Sequence, residues 1–154
     1  MSLKYTALGT FTLAIRGDAT APTLKNLAAG ANKIGDAIDL TGASDRLLYA
    51  VWQLRVRGAS AFVAGEVVEL YFLPTPDGTN YADGGDSVNP QKALLAFVFE
   101  TRAVSTQLVL ATPALVLPPV KFKPLVINAT ARGFTNTDDE NQLHYRPFTV
   151  EDAA

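Results

Sequence analysis

Apolar and polar residues alternate with period two in one short run after another, the pattern of strands with one buried and one solvated face. Between Leu8 and Arg16, Phe11, Leu13 and Ile15 share one parity while Thr10, Thr12 and Ala14 take the other, which predicts a strand with the first set inward. Gly17-Asp18 ends it. From Leu47 to Arg57, Trp52, Leu54 and Val56 alternate with Gln53, Arg55 and Arg57, a half-buried strand with a basic outer edge. Its first half, Leu47 to Val51, is apolar on both parities and is expected to be covered on both sides. Glu66 to Leu73 sets Val68, Leu70 and Phe72 against Glu69 and Tyr71, and Lys92 to Arg102 is apolar on both parities, as in a central strand. Gln107–Ala111, Val120–Ala129 and Leu143–Val150 complete the set, with a less regular strand expected near Asn32–Ile38.

Turn chemistry punctuates these runs. Gly30 and Gly35 argue against a helix in the alanine-rich stretch 27–31, and Gly58–Gly65 makes a turn. The segment 74–86, dense in Pro, Gly, Asn and Asp, reads as a long exposed loop. Pro113, Pro118 and Pro119 confine their segment to an edge or an extended connection, because proline cannot donate a ladder hydrogen bond. Strands without helical periodicity give the fold class as all-β: one antiparallel β-sandwich over residues 1–154, jelly-roll-like, with about eight strands and long loops. Residues 1–7 are expected to form an extended N-terminal arm.

Composition narrows the chemistry. With 48% hydrophobic and 18% charged residues the 154-residue chain carries enough apolar surface for one sizeable core. Thirteen Lys+Arg against 15 Asp+Glu give a net charge of -2, which offers no field for nucleic acid or anionic membranes. Zero cysteines remove disulfides, thiolate nucleophiles and thiolate metal sites, and a single histidine cannot build a three-His zinc centre. The residues before Ile15 contain no continuous apolar core of a signal peptide, and prolines interrupt the apolar stretch 108–120, so no leader and no spanning helix are expected.

Few residues carry candidate chemistry. Asp77, Asn80, Asp83 and Asp86 offer oxygen ligands to a hard cation, but their spacing is no EF-hand and turn chemistry accounts for them, so no metal is assigned. His144 lacks an evident nucleophile or orienting carboxylate and reads as a surface or interface residue. Glu66, Glu69 and Glu100 could supply a glycosidase carboxylate pair, a pattern common by chance on neighbouring strands. Trp52, Tyr71 and Tyr81 could stack on a sugar, although Trp52 shares the parity of core residues and only Tyr81 lies in the loop. No catalytic residue and no cofactor is assigned. The residues nominated for contact with a partner are Tyr81, Asp77 and Asn80 in the loop, Pro118 and Pro119 in the prolyl segment, and Arg55 and Arg57 on a polar strand face.

Four stretches in order carry a family resemblance: 27–39 (LAAGANKIGDAID), 69–84 (ELYFLPTPDGTNYADG), 117–128 (LPPVKFKPLVIN) and 141–148 (NQLHYRPF). Together they resemble small structural proteins of tailed-phage virions, in which a Leu-Pro-x-x-Asp-Gly-x-x-Tyr loop, a Leu-Pro-Pro-x-x-Phe-Lys connection and a closing Leu-x-Tyr-Arg-Pro-Tyr/Phe strand recur. The chain departs from them after Asn128, where Ala-Thr-Ala-Arg-Gly replaces the usual Thr-Gly pair. The resemblance implies a non-enzymatic β-sandwich on the outer capsid surface, assembled in the host cytoplasm. It implies a decoration or cement protein, a homotrimer by expectation, that binds the major capsid protein in the assembled lattice. The alternatives are a tail- or fibre-associated structural protein and a carbohydrate-binding module.

Overall fold

The computed structural model describes residues 3–7, 10–40 and 48–152. Among these, ten strands form: β1 (Leu3–Ala7), β2 (Thr12–Ile15), β3 (Asn32–Ile34), β4 (Tyr49–Val56), β5 (Val67–Pro74), β6 (Leu95–Glu100), β7 (Leu108–Ala111), β8 (Leu115–Val116), β9 (Phe122–Ile127) and β10 (Gln142–Asp152). One sheet runs β1-β10-β4-β7, with β2 beside β10 and β8 beside β4; the other runs β3-β9-β5-β6. Every pairing between them is antiparallel. If the eight strands on these two paths are counted in chain order, the sheets read 1-8-3-6 and 2-7-4-5. This is the interleaved order of a jelly roll.

The core lies between the sheets and follows the alternation. Ala50, Trp52, Leu54 and Val56 of β4 are fully buried, as are Val68 and Leu70 of β5. Trp52 packs its ring 5.1 Å from Phe72 on the opposite sheet and 5.1 Å from Tyr145 on its own. Two prolines sit inside interior strands without breaking them. Pro124 accepts from the Gly35 amide just past the end of β3, so its missing N–H faces the place where the β3 ladder has stopped. Pro147 falls where the partner of β10 changes from β2 to β1.

Three expectations are corrected. Phe11 is 45% exposed rather than buried, because β2 carries a bulge. Ile15 pairs with Leu143 and Leu13 with His144, which leaves Ala14 as the extra residue and shifts the parity, so Ala14 and Ile15 are the buried pair. The 95–100 run is an edge strand, with Leu95 and Val98 exposed. Leu48 and Val51 are exposed, so the start of β4 is covered on one side only; Leu47 and Leu8 lie outside the described residues. Residues 3–7 pair along 148–152 of β10.

Candidate functional site

The 74–91 segment carries most of the nominated loop residues, and it is built as a cover. Tyr71 and Leu73 of β5 and Leu125 of β9 alternate with residues facing the main core, so they point to the outer side of the four-stranded sheet, yet all three are fully buried. The loop lies over Leu73 and Leu125. A side-chain carbon on Gly84 would come within 2.9 Å of Leu73, and φ at this glycine is +155°. Asn32 of β3 clamps the loop by donating from Nδ2 to the Gly85 and Val88 carbonyls and to Asn89 Oδ1. Asp86 pairs with Lys33 and accepts from the Ile34 amide.

Inside the cover the polar side chains serve each other. Asp77 accepts from the amides of Thr79 and Asn80, the Asn80 side chain and the Thr75 hydroxyl, and these donors hold its carboxyl far below the usual range. Asn80 is thereby occupied too. Tyr81 is half-buried with the Lys123 ammonium 4.5 Å from its ring centre. Among the described residues no cluster of three or more His, Asp or Glu is arranged to hold a metal.

Two of the three carboxylates proposed from sequence, Glu66 and Glu69, are structural ties. Glu66 accepts from the Val63 and Ala131 amides, which lowers its pKa. For Glu69, burial pushes the pKa up, but hydrogen bonds from Tyr71 and Lys92 outweigh it and the net shift is downward. A general acid needs the opposite shift. Glu100 is exposed on the edge strand β6.

The outer face of the six-stranded sheet is different. Register places Arg55 beside Val109, Gln53 beside His144 and Tyr49 beside Val116, all on the side opposite Trp52 and Leu54. Val51, Val109 and Val116 are 38%, 52% and 72% exposed. Phe11 stacks on His144 with ring centres 4.6 Å apart and planes 5° from parallel. Burial and the nearby Arg55 cation lower the His144 pKa, so the imidazole is neutral at pH 7. Arg55 donates from Nε to Gln53 Oε1 at 3.3 Å, whereas Arg57 is tied to Glu140 at the rim.

Pro118 is half-buried and Pro119 exposed. Pro118 lines a groove of about 330 Å³ between the edge strands of the two sheets, with Leu94, Leu95, Leu115 and Val116. The structure therefore separates the sequence candidates: Tyr81, Asp77 and Asn80 lie on one face, Arg55 on the other, and the prolines at the open side between them.

Sequence reasoning missed the buried asparagines. Asn128 donates to the carbonyls of Leu27, Ala28 and Arg132 and accepts from Thr130, which fixes the turn after β9. Its signal was an amide directly after an apolar strand, ahead of a turn.

No family model matches the sequence, and no curated protein matches it. Solved structures do. A carbohydrate-binding module CBM36 in complex with calcium and xylotriose is 12% identical, with a TM-score of 0.41 over 98% of each chain. Xyl-CBM35 in complex with a glucuronic acid-containing disaccharide is 13% identical, TM-score 0.43, covering 99% of this chain and 94% of that one. The CBM36-1 domain of a xylanase from the hindgut metagenome of Trinervitermes trinervoides is 10% identical, TM-score 0.41, over 99% and 97%.

Proposed function

We propose that this chain is a non-catalytic binding module of a tailed-phage virion, a decoration protein that attaches to the assembled capsid shell and stabilises it. The supporting observation is the use of its polar groups. Asp77 and Asn80 brace their loop from within, and Glu66, Glu69, Asn32 and Asn128 tie loops to strands or strand ends, while a sheet face of exposed valines is left to solvent. Such a surface suits protein contact more than turnover. The resemblance to virion proteins supplies the partner, the shell protein, and the homotrimer.

The sugar-stacking platform is not formed, because Trp52 and Tyr71 are fully buried. A carbohydrate-binding module built on this jelly roll would have to bind elsewhere, and a tail or fibre protein would ignore the capsid lattice. One experiment separates the three readings: sedimentation with capsids that lack the chain, beside a glycan-array screen and light scattering for mass. Saturable binding to assembled capsids by a trimer is expected. Glycan binding without capsid binding would overturn the proposal.

A further inference from the structure

We infer that the outer face of the six-stranded sheet is the surface that docks on the capsid shell, and that it takes a protein patch whose apolar centre carries a carboxylate for Arg55. This inference rests on the decoration reading and adds the orientation and the chemistry of the contact. Exposed Val51, Val109 and Val116 lie on adjacent strands with their side chains on one side, together with the Phe11–His144 stack. Aliphatic residues on a flat sheet face suit another protein surface rather than a phosphate backbone.

Charge selects the partner further. Along β4, β7 and residues 142–148 of β10, the charged side chains are Arg55 and Arg146, of which Arg146 has a partner of its own. At the rim, Asp139 accepts from the Gln142 side-chain amide and Glu140 pairs with Arg57. No ion pair within the described residues reaches Arg55. Docking would strip water from its guanidinium between Val109 on one side and Gln142 on the other. A cation so buried must be paired, and a forked carboxylate contact is the geometry that guanidinium favours.

The test is quantitative pelleting with undecorated capsids of the phage that encodes the chain, comparing wild type with Arg55→Glu, Arg55→Lys, Val109→Asp and Val88→Asp. Val88 is 54% exposed on the cover of the opposite face. Each variant is melted first, and Val109→Ser replaces Val109→Asp if the latter has lost its fold. Arg55→Glu and Val109→Asp are expected to weaken binding more than 10-fold, Arg55→Lys less, and Val88→Asp by less than twofold. Loss with Val88→Asp while Val109→Asp binds normally would overturn the choice of face. Loss with Val109→Asp but not with Arg55→Glu would overturn the carboxylate partner. Wild type that fails to pellet would overturn the decoration reading itself, and the occupant proposed here with it.

Discussion

Both sheets of this jelly roll have apolar residues on their outer faces, but the four-stranded one is closed over β5 and β9 and stays open at its edge strand β6, where Leu95 and Val98 are exposed. Over the four-stranded sheet Tyr71, Leu73 and Leu125 are fully buried, with Gly84 of the 74–91 segment against Leu73 and Leu125 and Leu94 packed on the cluster, and the segment is fastened by Asn32 and Asp86. Over the six-stranded sheet no comparable segment among the described residues lies on Val51, Val109 and Val116, which remain more than a third exposed. Exposed valines on adjacent strands are normally shielded by the protein's own chain or by a partner. The contrast teaches that a loop rich in turn residues can finish a core rather than present a site.

The largest effect that would break this comparison is a charge under the cover. Leu73→Asp places an unpaired carboxylate in a fully closed site and is expected to cost more than about 4 kcal/mol, enough to prevent folding or lower the melting temperature drastically. Survival with a near-normal melt would show that the cover opens freely. Next, Asn32→Ala removes the donor shared by the Gly85 and Val88 carbonyls and Asn89. We expect a loss of about 1–3 kcal/mol in chemical denaturation, with faster hydrogen exchange confined to the 82–90 amides.

Acid probes the same fastening more gently. Glu66 and Asp77 have folded pKa values below their usual 4.5 and 3.8. Their stabilisation is therefore complete above the usual values and is lost as pH falls through the lower folded ones. Amides of Thr79 and Asn80 should lose protection as the solution is acidified below about pH 4, and Asp77→Asn should make their protection factors, corrected for the intrinsic exchange rate, independent of pH in this range. Unchanged pH dependence in Asp77→Asn would assign the effect to another carboxylate. The smallest effect is on the bare face: Val109→Asp is expected to change stability by about 1 kcal/mol or less, from strand propensity alone. A loss as large as that of Leu73→Asp would mean that the two faces are equally closed.

Much of this was legible in the sequence because period two survives wherever a strand is regular. Trp52, Leu54 and Val56 were placed inward by alternation and are inward. Phe11 was misplaced because a bulge at Ala14 resets parity, and a bulge leaves no mark in hydrophobicity. The apolar run 95–100 looked central, yet it is an edge. Alternation reports that both faces carry apolar residues, not whether a strand has one neighbour or two. Asp77 and Asn80 advertised a turn correctly, whereas their mutual hydrogen bonds and the burial beneath the loop depend on contacts across the chain that spacing cannot show. Arg55 and Arg57 were equivalent by parity. Their difference rests on Glu140, 83 positions from Arg57.

The chain has a single tryptophan, and it sits between Phe72 of one sheet and Tyr145 of the other. Its emission is therefore a built-in gauge of the distance between the sheets. A blue-shifted native spectrum that turned red only when both layers parted would report cooperative unfolding from one label-free signal, and loosening of the cover alone would leave it silent.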